Sequence, residues 1–589
     1  MCRRETFSNT QNRHKKLIAI MPLAIASQTD DVALKRRMAL AGSSGPMAAF
    51  HNMRVVGIAM FACLGGLLYG YNQGVFSGVL TMTAFGNHMG EYTTNSTKKG
   101  WLTSILELGA WFGTLYSGFL AEVLSRKYAI LINTAIFILG VVIQCTAVSS
   151  SGANSILAGR FITGMGVGSL SMIVPMYNAE CAPPEIRGLL VSLQQFSIEF
   201  GILISFWIDY GTNYIGGTGE GQSDAAWLVP LCLQLVPAVI LFAGMIFMPF
   251  SPRWLVHHGR EDEARRVIAM LHGGSGESAA MDEVIELEFL EIKAQSMFEK
   301  RSTAEKFPHL QEQTAWNTFK LQFVAIGSLF KTMPMFRRVI VATVTMFFQQ
   351  WTGINAVLYY APSIFGALGL SSNTTSLLAT GVVGIVMFLT TIPMMVYVDR
   401  IGRKPVLIAG AIAMGVNHLI IAIIFAKEQD QWPTHKAAGW AAIVMVWLFA
   451  GNFGWSWGPC AWIIVAEVWP LSARPYGIAL GASSNWMNNF IVGQVTPDMI
   501  THMKYGTFLF FGLLTLLGAV FVWVFVPETK QLTLEEMDVI FGSQGVAASD
   551  KERMDQIRLE LGLVDRAASE DLQTAEVKEE VKESEVKTE

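Results

Sequence analysis

Charge is what this sequence of 589 residues has least of. Asp, Glu, Lys and Arg make up 15% of it, where a soluble domain carries about 25%. The shortage is also concentrated: Val339 to Val398 runs sixty residues without one of the four. No soluble core requires that. Nor is there an excess of either sign, since the net charge is −4. That leaves no basic face for nucleic acid. Cysteine is equally thin. Cys2 lies in the amino-terminal tail, and Cys63, Cys145, Cys181, Cys232 and Cys460 lie in or beside apolar runs. This scatter is neither a disulfide framework nor metal-ligand pairing, so the cysteines read as packing residues and no metal or cofactor is expected. No nucleophile–base pair stands out. The glycine-rich Gly65-Gly66-Leu-Leu-Tyr-Gly70 lies inside an apolar run, where small residues allow close helix packing rather than phosphate binding. An enzyme is not expected.

What is present is apolar surface: 52% of residues are hydrophobic, with a mean hydropathy of +0.40. The runs Tyr128–Val148, Leu228–Phe250, Pro405–Ala426, Ala437–Ala466, Pro475–Pro497 and Tyr505–Val526 are uncharged apart from their boundaries. Each is long enough to cross a bilayer, which takes about 20 residues. Apolar stretches near 55–83, 100–121, 156–179 and 188–208, and 339–398 split at its Ser/Asn-rich middle, complete twelve spans. The fold class is an all-α membrane protein.

Orientation follows from Lys and Arg in the short loops. Arg126 and Lys127, Arg187, Arg400 with Arg403 and Lys404, and Arg474 follow spans two, four, eight and ten, and the long segment 251–338 follows span six. Loops on the other side are poorer in Lys and Arg, so both termini are expected in the cytoplasm. The sequons at Asn95 and Asn373 then face outward as glycosylation candidates. The chain divides into a cytoplasmic tail (1–53), a first six-helix half (54–250), a cytoplasmic loop with short helices (251–338), a second half (339–527) and a tail (528–589) expected to be disordered after about residue 541. The segment Lys15–Ser27 has a basic start and an apolar stretch interrupted by Pro22, and reads as an interfacial or disordered tail.

The two halves repeat each other. After span two, Glu122 is followed at +4 and +5 by Arg126 and Lys127; after span eight, Asp399 is followed by Arg403 and Lys404. After span four, Glu180 precedes Pro183 and Arg187; after span ten, Glu467 precedes Pro470 and Arg474 at the same spacing. The offset is about 277 residues. Parallel six-span repeats place a substrate site at their interface near mid-membrane, reached alternately from each side. The eight charges Glu122, Arg126, Glu180, Arg187, Asp399, Arg403, Glu467 and Arg474 are then expected to form an inner gate whose ion pairs break and re-form. Their bland alternative is a set of static topology determinants.

The most specific pieces are Gly159-Arg160-Phe-Ile-Thr-Gly164-Met-Gly166-Val-Gly168, Ser251-Pro252-Arg253-Trp254-Leu255, Gln349-Gln350-Trp-Thr-Gly353-Ile-Asn355 and Pro527-Glu528-Thr529-Lys530. With these motifs in order, residues 54–541 resemble the sugar porter family of the major facilitator superfamily, most closely fungal hexose and pentose carriers. The resemblance implies two six-helix halves and alternating-access transport of a monosaccharide such as glucose or xylose in the plasma membrane, by a monomer. It also implies sugar contacts at Gln195, Gln349, Gln350, Asn355, Trp462 and Asn485, an outer gate at Tyr359 and Tyr360, and a cavity lined by Trp486. Chemistry points the same way. A sugar presents hydroxyls that donate and accept, which amides match on one side chain, and a C–H face that an aromatic ring covers.

One departure bears on energetics. Proton-coupled members carry Asp where this sequence has Asn72, facing the Arg that matches Arg160. Asn cannot titrate. Glu107 and Glu199 sit inside spans, where an acid is functional by default, and are candidates to couple protons instead; otherwise the carrier is a uniporter. Other departures are Glu122 for Asp, Ser125 for Gly, Phe250 for Glu and Leu228 for Arg. The competing functions are a non-transporting sugar sensor, disfavoured by the short tail, and a carrier of a polyol, sugar acid or disaccharide. The lipid bilayer and protons complete the expected partners.

Overall fold

A computed structural model describes residues 53–563 except 149–151, 184–185, 273–278, 311–313, 371–372, 430, 531, 533 and 544. The expected amino-terminal tail, with Cys2 and Lys15–Ser27, lies outside the described residues. So do the end of the carboxy-terminal tail and the side chains of Arg187 and Asp399. The described residues contain helices and no strand.

The first half comprises α1 (Met53–Ala62), α2 (Leu64–Val79), short α3 (Thr83–Met89) and α4 (Glu91–Thr94), α5 (Ser96–Leu124), α6 (Arg126–Cys145), α7 (Gly152–Cys181), α8 (Arg187–Thr212), α9 (Ala225–Leu233) and α10 (Leu235–Met245). The insert holds α11 (Pro252–His257), α12 (Glu261–Leu271), α13 (Ala279–Lys306) and α14 (Ala315–Ser328). The second half comprises α15 (Met333–Trp351), α16 (Ile354–Ala367), α17 (Asn373–Ile401), α18 (Arg403–Glu428), α19 (Lys436–Trp455), α20 (Trp457–Glu467), α21 (Arg474–Met503) and α22 (Tyr505–Phe525). Two tail helices follow, α23 (Leu534–Phe541) and α24 (Val546–Glu560). The side of the bundle carrying the insert is called the insert face, and its opposite the far face.

Among the described residues eight segments are long and apolar enough to cross a membrane: α1–α2, α6, α7, α9–α10, most of α17, α18, α19–α20 and α22. The remaining four expected spans are also helical, as α5, α8, α15–α16 and α21, but they carry Glu107, Gln195 with Glu199, the Gln349–Gln350 pair, and the Asn485–Asn489 stripe. Burial of Glu107, Glu199, Gln349, Gln350, Asn485 and Asn489 shows that these helices face the interior of the bundle.

Glycine sets how closely some of these helices meet. A Cβ on Gly109 or Gly113 of α5 would stand 2.1 or 2.2 Å from the Phe161 or Met165 carbonyl of α7, and one on Gly164 or Gly168 would stand 2.0 Å from the Leu106 or Ala110 carbonyl. The Gly-rich motif of α7 is therefore a packing seam. Its consequence is chemical, because it draws Glu107 of α5 towards Arg160 of α7.

Val546–Glu560, expected to be disordered, is instead the helix α24. Helix α24 docks on α13, with Met554 and Ile557 against Ala294 and Phe298. Arg301 pairs with Glu560 at 2.6 Å and Arg558 with Glu291 at 3.4 Å, and Arg553 pairs with Glu305. A helix of this length is marginal alone; it gains its order from a partner that composition does not reveal.

Candidate functional site

Two broken helices build the centre. The run α15–α16 is interrupted at Thr352-Gly353, where Gly353 takes φ 89°, and α19–α20 is interrupted at Ser456, with φ −123° and ψ −86°. Broken helices are tolerated at membrane depth where their loose backbone groups meet partners or line a cavity. Here Gln349 donates through Nε2 to the Trp457 and Gly458 carbonyls at 2.9 and 3.1 Å, joining the two breaks. Its Oε1 accepts from Asn485 Nδ2 at 2.6 Å. Across the α15–α16 break, Asn355 donates to Gln350. Tyr359 donates to Asn489 at 3.0 Å, and accepts from Gln73 of the first half at 3.4 Å. Tyr69, beside Gln73 in α2, lays its ring 5.1 Å from that of Trp486. Of the predicted site residues, Gln349, Gln350, Asn355, Tyr359, Asn485 and Trp486 are thus buried in the second half, where Gln73 and Tyr69 of the first half meet Tyr359 and Trp486. Trp462 of α20 is half-buried at the edge of the core. Gln195 of α8 donates to Glu199 at 2.9 Å.

The charged candidates behave differently. Glu107 is fully buried, and neither carboxylate oxygen accepts a hydrogen bond. Arg160, also buried, donates once to the Thr103 carbonyl at 2.8 Å and covers the Phe76 ring at 3.8 Å, while its Nε and Nη1 have no acceptor. The two are within electrostatic reach of each other and of Tyr359. Tyr69 lies within reach of both Glu107 and Glu199. Asn72 donates to the Leu68 carbonyl at 3.0 Å, and its Oδ1 has no partner. It occupies a buried place without completing Arg160.

The halves meet through polar contacts on the far face. Thr97 donates to Asp498 at 3.0 Å, Lys99 to Ser363 at 3.1 Å, and Ser104 to Gln494 at 2.9 Å. Tyr360 donates to the Gly493 carbonyl at 2.8 Å within the second half. Of the sequons, Asn95 is exposed and caps α5. Asn373 instead donates its Nδ2 to the Thr81 carbonyl at 3.1 Å, a bond between the halves. At the insert face, five of the expected gate charges form ion pairs within their own half. Arg126 reaches Glu122 at 3.0 Å and Glu180 at 2.9 Å, and Arg403 reaches Glu467 at 2.9 Å. The Nε of Arg474 has no acceptor.

Sequence reasoning missed several groups that complete this region. Gln73 and Tyr69 adjoin residues already singled out, and Asn489 lies one helical turn beyond Asn485; that i, i+4 amide pair was the available signal. Asp209 is fully buried near the far end of α8, accepting from the Gly78 N–H at 3.2 Å. Arg338 forms a buried pair with Asp538 of the tail, which no local pattern announces.

Comparison with known proteins follows the same lines. Residues 58–541 match the family described as "Sugar (and other) transporter". The chain is 32% identical over 524 residues to the quinate permease of Neurospora africana, covering 87% of this chain and 93% of that one. It is also 32% identical over 521 residues to the MFS glucose transporter mfs1 of Aspergillus flavus, covering 85% and 93%. Among solved structures, the partially occluded inward open xylose transporter XylE of E. coli superposes with a TM-score of 0.65 at 25% identity, covering 82% of this chain and 99% of that chain. The proton:xylose symporter XylE bound to 6-bromo-6-deoxy-D-glucose gives 0.66 at 26%, covering 83% and 100%.

Proposed function

The chain belongs to the sugar (and other) transporter family, and from that premise we propose that it carries a monosaccharide, a hexose such as glucose or a pentose such as xylose, by alternating access coupled to protons. The observation that supports this most is the neutral amide and aromatic region shared by the halves: Gln349 with Asn485, Gln350 with Asn355, Tyr359 with Asn489 and Gln73, and Tyr69 against Trp486. Amide groups exchange their mutual hydrogen bonds for those of hydroxyls at little net cost, and the rings cover the sugar's C–H face. Because donors come from both halves, a bound solute contacts both and the equilibrium between their arrangements responds to it. The carrier works as a monomer in the plasma membrane, with the insert face and both termini in the cytoplasm. Asn72 holds no proton, so the coupling group is Glu107 or Glu199.

A second reading is carriage of a cyclic polyhydroxy acid. It is favoured by the quinate permease relative, as similar to this chain as the glucose transporter is, and by the unpartnered nitrogens of Arg160. The test is uptake of labelled glucose, xylose and quinate in cells lacking their own carriers, with and without a protonophore. Accumulation of a monosaccharide that the protonophore abolishes supports the proposal. Equilibration insensitive to the protonophore replaces symport with uniport. Uptake of quinate alone establishes the second reading, and no uptake despite surface expression points to a sensor.

A further inference from the structure

Helix α14 is placed unlike the rest of the insert. It packs against α5 of the first half and α21 of the second. Phe319 meets Phe119 edge-on at 5.6 Å, and Gln322 lies over Gly118. Buried Ala325 and Leu329 continue this inward side. The outward side runs Trp316, Lys320, Phe323, Val324 and Gly327, all exposed at three- and four-residue spacing. Trp316 is 62% and Phe323 57% exposed, and the residues behind the helix continue the pattern with Phe330, Met333 and Phe336.

Exposed aromatics at that density on an aqueous face are costly. They suit the boundary of a bilayer, where Trp and Phe sit among acyl chains and lysines extend towards headgroups. The face is also of one sign. From Thr314 to Arg338 there is no Asp or Glu, while Lys320, Lys331 and Arg337 are all exposed. Lys320 Nζ lies 5.2 Å from the Trp316 ring centroid, holding cation and aromatic together on the outward side. Arg338 turns inward to Asp538 and is not part of this set.

We infer that α14 and residues 329–337 form an in-plane binding surface for anionic phospholipid headgroups in the leaflet at the insert face. Trp316, Phe323 and Val324 enter the acyl boundary, and Lys320, Lys331 and Arg337 contact the phosphates. Since α14 rests on one helix from each half, lipid bound there bears on both.

The test uses the full-length chain in nanodiscs of phosphatidylcholine, or of an equimolar mixture with phosphatidylglycerol. Hydrogen exchange of the 315–328 amides slows in the mixture if the inference holds; equal protection in both overturns it, and this needs no variant. In native mass spectrometry the wild type retains phosphatidylglycerol over phosphatidylcholine. Each cation near an anionic surface is worth about a fivefold change in affinity. Lys320→Gln with Lys331→Gln and Arg337→Gln should therefore erase the preference, whereas Lys436→Gln at the far face should preserve it. Retained preference in the triple variant overturns the assignment, as does a dimer in the same spectra, which would give the face to a second copy of the chain.

Discussion

In the first half the turn from α5 to α6 passes through Ser125 at φ 96°, ψ 155°, and in the second the turn from α17 to α18 passes through Gly402 at φ 101°, ψ 156°. The backbone is the same; the chemistry is not. At Gly402 a Cβ would stand 2.8 Å from Glu528 Oε2. Glycine leaves room for that carboxylate to accept from the N–H groups of Arg403 and Lys404 at 3.0 and 3.1 Å, and of Thr529 and Lys530 at 2.9 Å. The positive end of α18 is thus capped by an acid from the chain after α22. In the first half Phe250 takes the place of that acid, stacking near Tyr128 and Trp254 with Lys127 5.0 Å from its ring. Ser125 supplies the cap itself, accepting from the Tyr128 N–H at 3.3 Å. A non-glycine residue in this backbone region costs about 1–3 kcal/mol, and a serine cap returns about 0.5–2 kcal/mol. Ser125 and Phe250, two departures that look independent in sequence, stand where Gly402 and Glu528 stand in the second half, and both meet Tyr128.

The comparison can be broken hardest at the arginines. Arg126 serves two acids, Glu122 and Glu180, and Ser251 also donates to Glu180. Arg403 reaches Glu467 at 2.9 Å, and that acid is 33% exposed where Glu180 is 9% exposed. Removing one partner of a buried pair costs about 3–5 kcal/mol and less where the pair is open to solvent, so Arg126→Ala, which strands the more deeply buried acid, should lower the thermal unfolding midpoint more than Arg403→Ala does. Equal losses would dissolve the distinction between the halves. Next in size is Gly402→Ser. It adds the backbone strain and displaces Glu528 from its N–H donors, for a loss of about 2 kcal/mol or more; the reverse change, Ser125→Gly, should stay within about 1 kcal/mol because relieved strain offsets the lost cap. Denaturation of both variants in one detergent checks the ordering.

Much of the scaffold was legible because hydropathy and the paired acid–base loops are local signals. The four polar spans were legible as helices but not as lining, because polarity within a span says nothing of which way it faces. Tyr359 and Trp486 were found in sequence, but their partners Gln73, Tyr69 and Asn489 were not, since Gln73 and Tyr69 reach them only once the halves dock and Asn489 only once α16 packs on α21. Asp209 escaped notice because it falls one residue past the apolar stretch near 188–208, and only the Gly78 N–H across the α2–α8 contact shows it to be interior. Helix α24 was read as polar tail because its apolar residues, Met554 and Ile557, are few and matter only against Phe298.

A double-mutant cycle sharpens the exchange at the turn. Ser125→Gly with Phe250→Glu rebuilds the second half's chemistry in the first. Their stability changes should be non-additive by about 0.5–1 kcal/mol, with the pair better than the sum of its singles; additivity would mean the two positions are unrelated.

The smallest effect separates the halves by pH. His257, at the end of α11, is half-buried with Nε2 3.5 Å from Glu122 Oε1. Burial pushes its pKa below 6.5, Glu122 pulls against this, and Lys300, His258 and Arg126 add to the lowering. Ser296 and the Lys300 ammonium contact it from α13. A histidine held below its unfolded pKa binds fewer protons folded than unfolded, so stability rises with pH across this window and is lost as pH falls from about 6.5. Acidification should therefore loosen the first half's turn, where the charged imidazole must be accommodated beside Arg126. His257→Gln should flatten the fall in unfolding midpoint between about pH 7 and about pH 5. If the variant follows the wild-type curve, the acid sensitivity belongs to other groups and the histidine is only a packing residue under Glu122.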